Sequence, residues 1–131
     1  MAALTVDWKQ LVSAVCMGGV EQAVLDLDSG ELVYRMLTDG SWESDDVAHR
    51  VRARPKRFAD LPHPPESERK KWRTAFVKKH RALKAAPLDR TGFDAAVRKA
   101  RLTGAWKAFQ EELVTALLRA WLERRGLQAT T

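Results

Sequence analysis

The chain has 131 residues, 45% of them hydrophobic and 31% charged, with a formal net charge of +6. That length suits one compact domain, and that balance excludes a wholly disordered chain. One cysteine, Cys16, excludes an intramolecular disulfide, and no apolar run approaches the roughly 18 residues of a membrane span. Asp7 and Lys9 interrupt the apolar N-terminal stretch, which has no basic leader region, so a cytoplasmic protein with no membrane partner is expected.

The net charge hides a polarity along the chain. Residues 1–46 carry two basic and nine acidic side chains, whereas residues 47–131 carry 21 basic and eight acidic ones. Such a split suits attraction of a polyanion to one half, or pairing with a protein partner or a second copy through both halves.

Taken in order, Val6 to Met17 predicts a first helix with Trp8, Leu11, Val12, Val15 and Cys16 on its apolar face, Thr5 as N-cap and Gly18-Gly19 as its stop. Ala23, Leu25 and Leu27 then alternate with Asp26 and Asp28, and alternation resumes after Ser29-Gly30 at Leu32, Tyr34 and Met36. Period two on both sides of a glycine turn predicts a β-hairpin with one buried face. Ser44-Asp45-Asp46 can cap a short helix toward Arg50. Residues 51–62 read as a loop leading to a short edge strand at Phe58 and Leu61, limited by Pro55 and Pro62.

Pro64-Pro65-Glu66 opens the next helix, because proline fits a first turn and carboxylates favour the positive end of the helix dipole. Its apolar stripe is Trp72, Phe76 and Leu83, with Lys70, Lys71, Arg73, Lys78, Lys79 and Arg81 over the remaining surface and Pro87 as its end. Thr91 and Asp94 have capping-box spacing ahead of a helix that buries Phe93, Val97 and Ala100. From Thr103 to Gly126 a long helix is expected, with Ala105, Trp106, Phe109, Leu113, Ala116, Leu117, Ala120 and Trp121 on its buried face. Gly126 suits a Schellman-type stop, and the tail after Gln128 is expected to fray.

Several of these segments together carry a resemblance. Leu25-Asp26-Leu27-Asp28-Ser29-Gly30-Glu31-Leu32-Val33, Arg57-Phe58-Ala59-Asp60-Leu61-Pro62, Thr91-Gly92-Phe93, Trp106-Lys107-Ala108-Phe109 and Trp121-Leu122-Glu123-Arg124-Arg125-Gly126-Leu127 follow one another in an order that resembles a bacterial group, uncharacterised protein family 0158. Lys107 stands where that pattern has an aromatic. The resemblance implies a fold and no activity.

Asp26, Asp28 and Gly30 lack the glycine and glutamate positions of a calcium loop and read as a hairpin turn. His49, His63, His80 and Cys16 have none of a zinc site's short spacings. No nucleophile–base pair or facing carboxylate dyad stands out, so no catalytic residue, cofactor or metal ligand is assigned and a non-enzyme is expected. The basic set Arg50, Arg52, Arg54, Lys56 and Arg57, continued by Lys70, Lys71, Lys78, Lys79, Arg81 and Lys84, offers cations for phosphate contact. Trp42, in a polar loop, suits either a stacking residue or one folded back on the core.

The expected fold is α+β: a small antiparallel sheet of the hairpin plus a third strand, one N-terminal helix and three C-terminal helices in a single domain. The expected function is a small non-enzymatic binding protein docking on DNA or RNA through its basic half. The rival is a protein-interaction or regulatory module acting through its charge polarity or as a homodimer.

Overall fold

The computed structural model describes residues 2–17 and 21–130. The fold is α+β, and the chain divides into two compact units, Met1–Pro62 with Val114–Thr131, and His63–Leu113.

In the first unit, strand β1 (Ala2–Thr5) pairs in parallel with β5 (Leu127–Thr130), Ala2 opposite Leu127 and Thr5 opposite Thr130. The tail expected to fray is therefore a hydrogen-bonded strand, tied at its ends by the Ala2 amide to the Gly126 carbonyl (2.9 Å) and the Val6 amide to the Thr130 carbonyl (2.8 Å). Parallel strands need a long connection, and here it is nearly the whole chain.

Helix α1 (Trp8–Cys16) starts two residues later than expected because Thr5 belongs to β1. Asp7 is the N-cap, its side chain accepting from the Gln10 amide at 3.1 Å. Leu11, Val12 and Val15 are buried, while Trp8 and Cys16 are half-buried. The expected Gly18-Gly19 stop lies outside the described residues.

Strands β2 (Glu21–Asp26) and β3 (Leu32–Met36) form the hairpin, and β4 (Phe58–Asp60) adds antiparallel to β2, giving the order β3-β2-β4. Being central, β2 is buried on both faces from Gln22 to Asp26, so the one-sided pattern expected from the alternation does not hold. Val24 and Val33 pack with Val47 of helix α2 (Asp45–Ala53), and half-buried Trp42, Val51 and Phe58 complete that cluster. Trp42 thus folds back on the core, with Arg35 lying over its ring at 5.4 Å. Ser44 caps α2 through the Val47 amide, as expected, but the helix continues to Ala53, so residues 51–53 are helical.

The hairpin turn is built on Asp26 and Gly30. Asp26 Oδ1 accepts from the amides of Asp28 and Ser29 at 2.9 and 3.3 Å. Gly30 adopts φ +81°, and a Cβ there would lie 1.8 Å from the Thr5 carbonyl oxygen, so the position requires glycine on two counts.

In the second unit, helix α3 (Glu66–Lys79) ends at His80, well before Pro87, and Leu83 is buried from a following 3₁₀ turn, Arg81–Leu83. Helix α4 (Arg90–Lys99) is capped by Asp89, which accepts from the Gly92 amide at 2.9 Å, and not by the expected Thr91. Phe76, Phe93 and Trp106 form the aromatic centre, with ring centroids 4.9 to 6.4 Å apart. Arg73, expected on the surface, is buried and donates to Glu66 and to the Leu88 carbonyl, 3.0 Å away.

The Schellman stop falls on α4. The Leu102 amide bonds the Val97 carbonyl and the Arg101 amide the Arg98 carbonyl, with Arg101 itself at φ +59°. Helix α5 (Thr103–Glu123) instead closes through tight bonds from Arg125 to Leu122 and Gly126 to Glu123, Gly126 taking the expected left-handed conformation at φ +72°. Its first half contributes Trp106 to the second unit; its second half contributes Val114, Leu118, Trp121 and Leu122 to the first. The stripe therefore shifts phase midway, and Ala105, Ala116 and Ala120, expected inside, are exposed.

Candidate nucleic-acid interface

The basic residues fall into two sets with different surroundings. Arg50 and Arg52 lie on α2, Arg54 is its C-cap, and Lys56 and Arg57 lie in a 3₁₀ turn, Pro55–Arg57, that leads into β4. The loop expected at Arg52 is therefore helix, whereas Arg50 lies in the helix expected there. β4 sets Phe58 opposite Asp26, which brings the preceding arginine alongside the acidic hairpin turn.

Arg57 Nε and Nη2 donate to the two Asp26 oxygens at 2.7 and 2.6 Å, a bidentate pair with a fully buried carboxylate. Arg57 Nε also lies 3.6 Å from Asp28, Arg54 is 3.7 Å from Asp28, and Arg50 lies 3.3 Å from Asp46 and 3.5 Å from Glu31. Burial alone would push the Asp26 carboxyl up. The Arg57 hydrogen bonds, with the amides of Asp28 and Ser29 and the Ser29 hydroxyl, outweigh it and hold Asp26 far below the usual carboxylate range. Among the described residues only Arg52 and Lys56 of these five have no ion pair or hydrogen bond from their side chains. A shallow hollow of about 440 Å³ is lined by Arg54, Pro55, Lys56 and Arg57, with Asp28 among them.

The α3 set is different. Ser67, Lys70, Lys71, Thr74, Ala75 and Lys78 recur at spacings of three and four, so they share one face of the helix. With Lys79 they line a hollow of about 620 Å³ that contains no carboxylate. Lys70, Lys71, Lys78 and Lys79 are all exposed. Lys71 has a pairing partner in Glu68 at 3.7 Å, both solvent-facing, which is worth little. Lys79 Nζ lies 5.1 Å from the centroid of half-buried Phe109. Arg81 is exposed in the 3₁₀ turn after the helix. Lys70 to Lys78 rises about 12 Å, the axial length of three to four nucleotides of one stacked strand.

Counted by compact unit, the charge is concentrated. His63–Leu113 holds thirteen basic and six acidic side chains, a net of +7, and the remainder of the chain holds ten basic and eleven acidic. The sequence identified the cations but not their partners. The spacing of Lys70, Thr74 and Lys78 is the visible signal for the shared face; nothing in the sequence marks Ser67, Thr74 or Phe109 as site residues.

Among the described residues no group of three or more His, Cys, Asp or Glu side chains is placed to hold a metal ion, and no helix is long and apolar enough to cross a membrane. His80 packs against Phe76 with centroids 4.2 Å apart.

Fold and charge layout thus define a small α+β chain with one lysine-lined helix face. Comparison with protein-family models, with curated proteins and with solved structures finds no match to this chain.

Proposed function

We propose that this is a non-enzymatic binding protein that docks on the phosphate backbone of a nucleic acid through the exposed lysine face of α3. One observation carries the reading: Lys70, Lys71, Lys78 and Lys79 surround a hollow without a carboxylate, whereas Arg50, Arg54 and Arg57 are held by the chain's own acidic side chains. A cation already paired gives little on exchanging one anion for another. An unpaired lysine releases a condensed counterion from the polyanion and gains by it. The same pairing disfavours head-to-tail association, since Asp26, Asp28, Glu31, Asp46 and Asp60 already face arginines within the chain. Kinship with uncharacterised protein family 0158 is likewise proposed, and brings no activity with it.

The test is binding to a generic single strand and a generic duplex, by fluorescence anisotropy, from about 20 to 300 mM salt. Four phosphate contacts give a log–log salt slope between about −2.5 and −4. No binding at low salt, together with dimers that dissociate as salt rises, would transfer the reading to self-association.

A further inference from the structure

The lysine face adjoins an aromatic surface. Phe76, 1% exposed, is the hidden centre of this group, with the half-buried rings of His80 and Phe109 against it at 4.2 and 5.4 Å. Trp106 supports Phe109 from within, nearly parallel to it at 23°. A ring braced in this way keeps its orientation when something lands on its open part. In the structure the Lys79 ammonium occupies that place, 5.1 Å from the centroid.

We propose that the α3 face takes single-stranded nucleic acid in preference to duplex, with one base stacked on Phe109 in place of the Lys79 ammonium; this rests on the polyanion reading above. An exposed ammonium over phenylalanine is held more weakly than a stacked base. Lys79 has a flexible four-carbon stem, so its displaced charge can swing to a phosphate of the same strand. A duplex cannot make this exchange, because its bases are already stacked and paired inside. Lysines supply the sequence-independent attraction, and the ring supplies a contact that every base can satisfy.

The experiment compares a 12-nucleotide oligothymidylate with a mixed-sequence duplex of equal length at about 50 mM salt, for the full chain and for Phe109→Leu, which keeps the apolar volume and removes the aromatic face. The full chain binds the single strand at least tenfold more tightly than the duplex, and Phe109→Leu loses about tenfold on the single strand while duplex binding is unchanged. In the full chain, the Phe109 ring protons shift upfield when oligothymidylate is added, a readout that remains decisive where Phe109→Leu does not fold. Equal affinity for both ligands, a Phe109→Leu variant that binds the single strand as the full chain does, or unshifted ring protons overturns the stacking inference and leaves the lysine reading intact. Absence of binding to either ligand overturns both.

Discussion

Replacing Asp26 with Asn isolates the contact that distinguishes an arginine held by a buried carboxylate from the solvent-exposed lysines of α3. The carboxylate has no exposed surface, while the Arg57 side chain keeps 26% of its own. Oδ1 takes the amides of Asp28 and Ser29 and the Arg57 Nε, and Oδ2 takes Arg57 Nη2. An asparagine oxygen can keep the Oδ1 contacts, but its NH₂ then faces Nη2 across 2.6 Å, donor against donor. Breaking a buried pair by removing one charge costs roughly 3–5 kcal/mol, and the partly solvated guanidinium sets the low end, about 3 kcal/mol. For a chain of this length that lowers Tm by about 10 °C. The sign with pH follows from a carboxyl held low in the folded state. Its contribution is present above the unfolded value near 3.8 and is lost as pH falls below that value toward the lower folded one. Thermal unfolding followed by circular dichroism at pH 7 and at pH 3 or below therefore gives a wide gap between wild type and Asp26→Asn at the first pH and a narrower one at the second. A loss under about 1 kcal/mol at pH 7, or a gap that widens on acidification, would mean that the Asp26–Arg57 pair does not stabilise the fold in this way.

Three further outcomes follow from particular contacts. Gly30→Ala places a Cβ on the Thr5 carbonyl at a positive φ, whereas Gly126→Ala, also at positive φ, meets nothing within 4 Å; urea titration gives a loss of about 1 kcal/mol for Gly126→Ala and a distinctly larger one for Gly30→Ala. Arg73→Lys removes the fork that serves both Glu66 and the Leu88 carbonyl, and destabilises by about 1–3 kcal/mol by the same titration. Trp42→Ala opens the cluster of Val24, Val33 and Val47, lowering stability by about 2–3 kcal/mol while leaving oligonucleotide affinity unchanged in anisotropy.

Local pattern revealed the elements whose causes are local. The glycine turn at Gly30, the Ser44 cap, the Pro64-Pro65 helix start and the short strand at Phe58 all formed where the residues placed them. The β1–β5 pair was not legible, because its partners lie 125 residues apart and neither strand has a periodic face long enough to declare itself. Alternation misled in β2: as a central strand it buries Val24 and Asp26 as well as Ala23 and Leu25. The sequence of α5 shows a single apolar stripe, but its halves serve different units and Val114, Leu118 and Leu122 replace Ala116 and Ala120 inside. The candidate site was half legible for a similar reason. A cation is visible in a sequence, but the carboxylate that neutralises it is not, and only the register that sets Phe58 opposite Asp26 separates Arg57 from Lys70.

The α3 lysines, and not the α2 arginines, are the proposed polyanion surface. Oligothymidylate affinity at about 50 mM salt, measured for Lys70/Lys71/Lys78/Lys79→Gln and for Arg50/Arg52/Arg54→Gln with Arg57 left in place, separates the two surfaces. The expected loss is at least about a hundredfold for the lysine variant and under about threefold for the arginine variant. The reverse order, or a full chain that binds no oligonucleotide, would rule out the lysine face as the docking surface.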